Sequence, residues 1–248
     1  MTRIRTCAVG LAIVLASVAA GAASPSDVEI LEAADLARGK VEGIAWTVEL
    51  MSYGKKGERS QTYDVLARGH DARIEATAPR KIKRQRILML SGNMWFYKPG
   101  LSKPVPISRR QRLLGQASYG DIAATNYAGD YSATRLDDVE LDGEPCYVFD
   151  LRSQEPGRTT YDRIKYWVSK ERLVGVRAEY FTVSGKLFKS ADVIYGHEIQ
   201  HAGERRPFVS ALTIHEELVA GPKTTMRFSV PELRAARDEQ FDLNLLMH

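Results

Sequence analysis

Apolar and polar residues alternate along most of the chain after residue 43, and this pattern predicts β-strands. The first clear example is the series Ile44, Trp46, Val48 and Leu50. These residues are two positions apart, so they share one face of a strand, while the residues between them lie on the other face. We therefore expect a strand that buries one face in the core and leaves the other solvated.

Two turn signals predict hairpins between later strands of the same kind. Asp142-Gly143 follows an alternating run that ends at residue 141, and Ser184-Gly185 follows one that ends at residue 183. Such dipeptides favour the tight turns of hairpins. The alternating runs together predict about ten or eleven strands. No internal repeat or linker separates them, so residues 24–248 are expected to form one mainly β, antiparallel domain.

Three segments predict helical structure. Residues 26–38 carry an apolar stripe with helical spacing, with Asp27 as a candidate N-cap and Gly39 as a stop signal. Residues 109–114 and 231–237 predict shorter helical turns, the second because proline at residue 231 suits the first position of a helix.

The N-terminal 23 residues have the features of a secretory signal peptide. Arg3 and Arg5 precede an apolar run of about 13 residues, and small residues follow at positions 20–22. The run is shorter than the ~20 residues that cross a bilayer, which favours cleavage over an uncleaved anchor. Cleavage leaves Cys146 as the last cysteine, so we expect a periplasmic protein without an internal disulfide.

Composition narrows the possible functions only slightly. The chain has 248 residues, of which 44% are hydrophobic and 27% are charged, as in ordinary soluble proteins. Its formal net charge of +4 falls to +2 when Arg3 and Arg5 are removed, so we do not expect a nucleic-acid partner. The phosphate-binding, dinucleotide-binding and nucleophilic-serine motifs are missing, and we expect neither a cofactor nor an enzymatic activity.

One short string does resemble a catalytic motif. Residues 197–201 read HEIQH, and in zinc proteases two histidines four residues apart bind zinc from one face of a helix. Here the preceding residues alternate like a strand and glycines stand on both sides. In a strand the two histidines would be about 13 Å apart, too far to share a metal. A chance match is favoured, and a zinc protease remains a remote alternative.

A basic cluster precedes the fourth alternating run. Its members are Arg80, Lys81, Lys83, Arg84 and Arg86. A solvated strand face is the simplest interpretation. The alternative is a surface that contacts anionic lipid head groups or a partner protein, with Arg80, Lys83, Arg84 and Arg86 as candidates.

Residues 94–121 mix aromatic, proline and apolar residues. Trp95 and Tyr97 share a strand face, and Leu113 and Leu114 follow after three prolines. Apolar residues on such an irregular segment either fill the core or cover an apolar cavity.

The same region resembles a known protein family. The relevant strings, in order, are residues 93–99 (NMWFYKP), 106–108 (PIS), 113–118 (LLGQAS), 120–122 (GDI) and 130–131 (DY), followed by 221–225 (GPKTT) and 241–245 (FDLNL). They resemble the outer-membrane lipoprotein-sorting protein family, which is related to the lipoprotein carriers LolA and LolB.

This resemblance implies an unclosed, curved antiparallel β-barrel with a few helices over its concave face. It also implies a monomeric periplasmic carrier that binds acyl chains of lipids or lipoproteins in an apolar cavity. Such a carrier takes its cargo to the outer membrane, and an inner-membrane transporter is a possible partner. An envelope lipid sensor on the same fold is the alternative. The candidate cavity residues are Trp46, Val48, Leu50, Trp95, Tyr97, Leu113 and Leu114.

Overall fold

The computed structural model describes residues 24–54 and 57–247, so the predicted signal peptide lies outside the described residues. Helix α1 spans Asp27–Leu36. Ser26 is its N-cap, where we had expected Asp27, and Ser26 and Glu29 form a capping box. Gly39 ends the helical turn with a φ of +98°, a conformation that favours glycine. The prediction of a helix in residues 26–38 is confirmed.

Most other described residues belong to strands. Their bounds are β1 Glu42–Gly54, β2 Gly57–Arg68, β3 Asp71–Ala78, β4 Arg86–Leu90, β5 Asn93–Tyr97, β6 Val105–Ile107, β7 Arg112–Leu114, β8 Ala117–Ser118, β9 Tyr131–Leu141, β10 Glu144–Ser153, β11 Arg163–Ser169, β12 Gly175–Phe181, β13 Leu187–Ile194, β14 His197–His201, β15 Glu204–Phe208, β16 Ala211–Glu216, β17 Lys223–Phe228 and β18 Glu232–Leu233. Helix α2 spans Tyr127–Asp130, and short 3-10 helices span Tyr119–Asp121, Asp238–Phe241 and Leu243–Leu245.

One large antiparallel sheet contains most of these strands. Its order is β6-β5-β4-β3-β2-β1-β17-β16-β13-β12-β11-β10-β9, and β18 pairs with the start of β1. Side chains from strands near its opposite ends, such as Ile87 of β4 and Ile164 of β11, belong to one core. The sheet therefore curves around that core as an unclosed half-barrel, and the predicted fold class is confirmed.

The hairpin turns lie where the turn signals predict them. Asp142 and Gly143 connect β9 to β10 with φ angles of +52° and +84°. Gly185 lies between β12 and β13 with a φ of +82°. Positive φ at such positions matches the right-handed twist of paired strands, which explains why a local signal is enough.

The concave face of the sheet is covered by α1 and by residues 108–130, which we call the covering segment. Ile30, Leu31 and Ala34 of α1 are buried in the main core, as are Leu114 and Ile122 of the covering segment. The prediction of a helical turn at residues 109–114 is wrong. The chain instead forms the small β7–β8 hairpin, in which Leu114 pairs with Ala117.

The convex face carries a second apolar cluster beneath the C-terminal segment, residues 232–247. Phe241 and Leu246 of that segment pack with Leu66 and Leu88 of the sheet. The prediction of a helical turn at residues 231–237 is wrong, because Leu233 pairs with Ile44 in β1 and holds the chain extended. In the described ranges no helix is both long enough and apolar enough to cross a membrane.

Candidate functional site

The interior between the sheet and the covering segment contains five of the seven candidate cavity residues. Trp46, Val48 and Leu50 of β1 point into the main core, where they are at most 4% exposed. Leu114 is also buried there, and Leu113 packs against the same core. These five side chains pack against the main core, so the covering segment lies closed over this interior.

Trp95 and Tyr97 do not belong to this interior. They pack in the cluster on the convex face, next to the C-terminal segment, whereas Met94 and Phe96 of the same strand face the main core. The expectation that all seven residues surround one cavity is therefore wrong for these two. Strand β5 is apolar on both faces, so alternation alone does not reveal which face is the inner one.

The basic cluster divides into exposed and buried residues. Arg80, Lys83 and Arg84 are exposed in the turn between β3 and β4. Arg86 is only 6% exposed on the convex face. Its Nε donates to Glu75 Oε2 at 3.1 Å, and its Nη1 donates to the Leu246 carbonyl at 3.0 Å. Arg86 thus holds the C-terminal segment, and its candidacy as a contact for head groups is wrong.

Polar contacts join the covering segment to the rest of the protein. Arg110 donates twice to Asp162, at 2.8 and 2.5 Å, and once to the Thr159 carbonyl at 2.9 Å. At the other side, the Gln116 N–H donates to Thr224 Oγ1 at 2.8 Å, and Lys189 Nζ donates to the Gln116 carbonyl at 2.6 Å. The segment therefore combines an apolar underside with polar attachments.

Gly115 brings the covering segment unusually close to the sheet. A methyl group on this glycine would overlap Ser52 Oγ and Thr224 Oγ1, and both of these residues are buried. Its φ of +55° also lies in the left-handed region. Glycine is therefore required at this contact for two independent reasons.

A buried carboxylate, Asp35, and a partly buried one, Asp121, hold other parts of the covering segment. Asp35 of α1 accepts from the N–H groups of Tyr127 and Ala128 at 2.8 and 3.0 Å, and burial raises its pKa. Asp121 accepts from the Ser118 N–H at 2.8 Å and from the Tyr161 hydroxyl, and burial raises its pKa as well. Sequence reasoning missed both.

Tyrosines surround these carboxylates in the half of the core near β11 and β12. Tyr161 and Tyr180 stack with ring centroids 3.8 Å apart, and Tyr127 makes edge contacts with Tyr131 and Tyr166. Burial raises the pKa of Tyr127 to about 12. This half of the interior is polar, whereas the half near β1 to β4 is apolar.

Lys189 and Arg38 are further polar residues of the interior that sequence reasoning missed. Lys189 shares a strand face with Ala191 and Val193, so a lysine on an otherwise apolar face was a usable signal. Burial lowers its pKa. Arg38 follows α1 and carried no such signal, since the position after a helix is commonly exposed.

The HEIQH string forms strand β14, which pairs with β15. The helix that a zinc-protease motif requires is therefore not formed, and His197 Nε2 instead lies 2.8 Å from the Phe228 carbonyl. Within residues 24–54 and 57–247, no three His, Cys, Asp or Glu side chains are grouped as metal ligands. The zinc alternative fails on this geometry.

Comparison with known proteins identifies the family. The chain is 30% identical to a LolA superfamily protein from Nitrosomonas europaea, with a TM-score of 0.77 over 87% of this chain and 96% of that chain. The chain belongs to the LolA superfamily. A family model described as "Uncharacterized protein" also matches residues 69–248 of this LolA superfamily member. A comparison with curated proteins finds no significant match.

Two further solved structures share the LolA superfamily fold of this chain. A putative outer membrane lipoprotein-sorting protein domain from Vibrio parahaemolyticus is 15% identical, with a TM-score of 0.73 over 88% of this chain and 97% of that one. A DUF1329 family protein from Desulfovibrio piger is 18% identical, with a TM-score of 0.70 over 88% of this chain and 99% of that one. The resemblance found in the sequence is thus confirmed.

Proposed function

We propose that this LolA superfamily protein is a periplasmic carrier that binds acyl chains of lipids or lipoproteins between its sheet and its covering segment. The observation that carries the proposal is the construction of that segment. Leu114 and Ile122 on its underside face the apolar residues of the sheet, while its attachments at the edges are polar. An acyl chain could replace the apolar contacts, at about 0.8 kcal/mol per buried CH₂.

In this structure the covering segment lies close over the interior, so loading requires it to move. Pockets that enclose small-molecule ligands have volumes of about 300–1,000 Å³. One hollow of the interior, between the covering segment, Arg38 and Tyr180, has a volume of about 20 Å³. A groove of about 600 Å³ does exist on the convex face, but charged and hydroxyl side chains such as Asp64, Arg73 and Thr77 line it, which does not suit an acyl chain.

Export and contact with membranes complete the proposal. The signal peptide in residues 1–23 would place the mature chain in the periplasm, where a monomer could exchange cargo with membranes or with an inner-membrane transporter. The exposed residues Arg80, Lys83 and Arg84 are the proposed contacts with anionic head groups.

Transfer of a pyrene-labelled phospholipid between vesicles tests the carrier role, with mass spectrometry of lipids that co-purify from the periplasm as a direct check for cargo. We expect Leu113→Ser to reduce the bound lipid, because Leu113 belongs to the covering segment and packs against the main core. Leu218→Ser is the matched control, since Leu218 is 49% exposed and belongs to none of the apolar clusters. Absence of lipid from the purified protein and from the assay would contradict the proposal. Binding without transfer would contradict the carrier role and support a lipid sensor.

A further inference from the structure

Arg38 is a buried cation without a partner. The residue follows α1 and is only 8% exposed. Its guanidinium lies over the Phe228 ring, 5.9 Å from the centroid, and it makes no hydrogen bond or ion pair with any other residue that the structure describes. Burying a charge without an acceptor is costly, and proteins ordinarily pair such groups.

The guanidinium borders the hollow of about 20 Å³ in the polar half of the interior. Besides the Arg38 guanidinium, two fully enclosed polar atoms without a partner in the described ranges belong to residues around this hollow, Arg109 Nε and Thr125 Oγ1. Tyr127 and Tyr180 also line it. Unused hydrogen-bonding groups therefore converge on one enclosed space.

The other charged groups around the hollow are already engaged. Arg109 forms an ion pair with Asp130 at 3.0 Å. Asp121 accepts from the Ser118 N–H and the Tyr161 hydroxyl. Arg38 is thus the charged group of this hollow whose donors have no acceptor among the described residues.

We propose that Arg38 binds the carboxylate of a free fatty acid whose chain lies between the sheet and the covering segment. A guanidinium presents parallel N–H donors that match the two oxygens of a carboxylate, and tyrosine hydroxyls can add further donors. Leu212 and Ala124 connect the hollow to the apolar core. This inference rests on the proposed function and names the class of cargo within it.

The covering segment explains how the small hollow can admit a carboxylate. Gly120, Asp121, Ala124, Thr125 and Tyr127 of that segment form much of its wall. In the closed form the space is close to that of a single water molecule. Displacement of the segment by an acyl chain enlarges the hollow and gives the carboxylate access to Arg38.

Calorimetric titration with dodecanoic acid, its methyl ester and dodecan-1-ol tests the inference, since the three ligands share a chain length and differ at the head. We expect the wild-type protein to bind the acid at least about tenfold more tightly than the ester or the alcohol. Arg38→Gln should remove that preference and leave the affinity for the ester unchanged. Arg205→Gln is the matched control, because Arg205 is 79% exposed on its side chain.

Equal affinity of the wild-type protein for acid, ester and alcohol would overturn the role of Arg38 and leave the carrier function intact. A preference for the acid that survives in Arg38→Gln would overturn it too. Failure of all three ligands to bind would instead refute the proposed function itself. The comparison of ligands on the wild-type protein does not depend on whether the Arg38→Gln variant folds.

Discussion

Replacement of Gly115 by alanine is the most direct perturbation of the covering segment. The added methyl group would overlap Ser52 Oγ and Thr224 Oγ1, far inside the ~3.5 Å at which a carbon and an oxygen rest in contact. Ser52 and Thr224 belong to the sheet and are at most 5% exposed, so they have little room to retreat. The β7–β8 hairpin should therefore move away from the sheet.

The expected cost has two parts. Alanine in the left-handed conformation at residue 115, where φ is +55°, costs about 1–2 kcal/mol. Movement of the hairpin also breaks the bond from the Gln116 N–H to Thr224 Oγ1, and a buried group left without its partner costs about 1–3 kcal/mol. The free energy of unfolding should thus fall by about 2–5 kcal/mol.

Gly185→Ala separates the two parts. Gly185 also has a positive φ, +82°, but nothing lies within 4 Å of the position its methyl group would take. In this control the free energy of unfolding should fall only by the backbone cost, about 1–2 kcal/mol. Urea unfolding of both variants measures the difference, and amide hydrogen exchange locates it in residues 108–130. Equal losses in the two variants, with unchanged exchange in the covering segment, would refute the idea that this contact holds the segment closed.

Three further outcomes follow from the same structure. Arg110→Ala should speed amide exchange in the covering segment, because it removes the paired bonds to Asp162; unchanged exchange there would contradict this. Arg86→Met should remove the bond to the Leu246 carbonyl and loosen the C-terminal segment, so that Trp95 becomes more exposed and tryptophan fluorescence shifts to the red. An unshifted spectrum would show that other contacts are enough to hold the segment. Burial raises the pKa of Tyr127 to about 12, whereas tyrosines of the unfolded chain ionise near ~10. The folded protein therefore holds this proton more tightly, and the stability that Tyr127 contributes is retained below about pH 10 and falls above it. At pH 11 the free energy of unfolding should have fallen by about 1.4 kcal/mol because of this group. Urea unfolding at a series of alkaline pH values, followed with tyrosinate absorbance, checks this, and ionisation of every tyrosine near ~10 in the folded protein would contradict it.

The sequence predicted those parts of the fold that local patterns determine. Alternation located β1, and Asp142-Gly143 located a hairpin turn, because burial of one face and positive φ both act within a few residues. The local pattern of residues 231–237 predicts a helical turn, but their conformation depends on β1, because Leu233 pairs with Ile44, 189 residues earlier in the chain. Propensity gives way where such a distant partner supplies the hydrogen bonds.

The candidate site was harder to predict for a related reason. Alternation shows that Trp95 and Tyr97 share a face, but Met94 and Phe96 are equally apolar, so the inner face of β5 follows only from the curvature of the whole sheet. Arg38 could not be recognised at all, since its burial results from the packing of Phe228 and of tyrosines from several elements around the end of α1.

The two halves of the interior suggest why a carrier would close in this way. Under the apolar half, closure gains the burial of Leu114 and Ile122, which an incoming chain can replace at similar free energy. Under the polar half, the fixed acceptors Asp35 and Asp121 hold the segment by its backbone and side chains, and an apolar chain cannot replace those bonds. The segment should therefore open first from its apolar side, and the polar wall of the hollow beside Arg38 should move only afterwards. As lipid is added, amide hydrogen exchange should therefore rise in β7 and β8 before it rises in α2. The order in which the segment opens would then follow from the chemistry of its contacts.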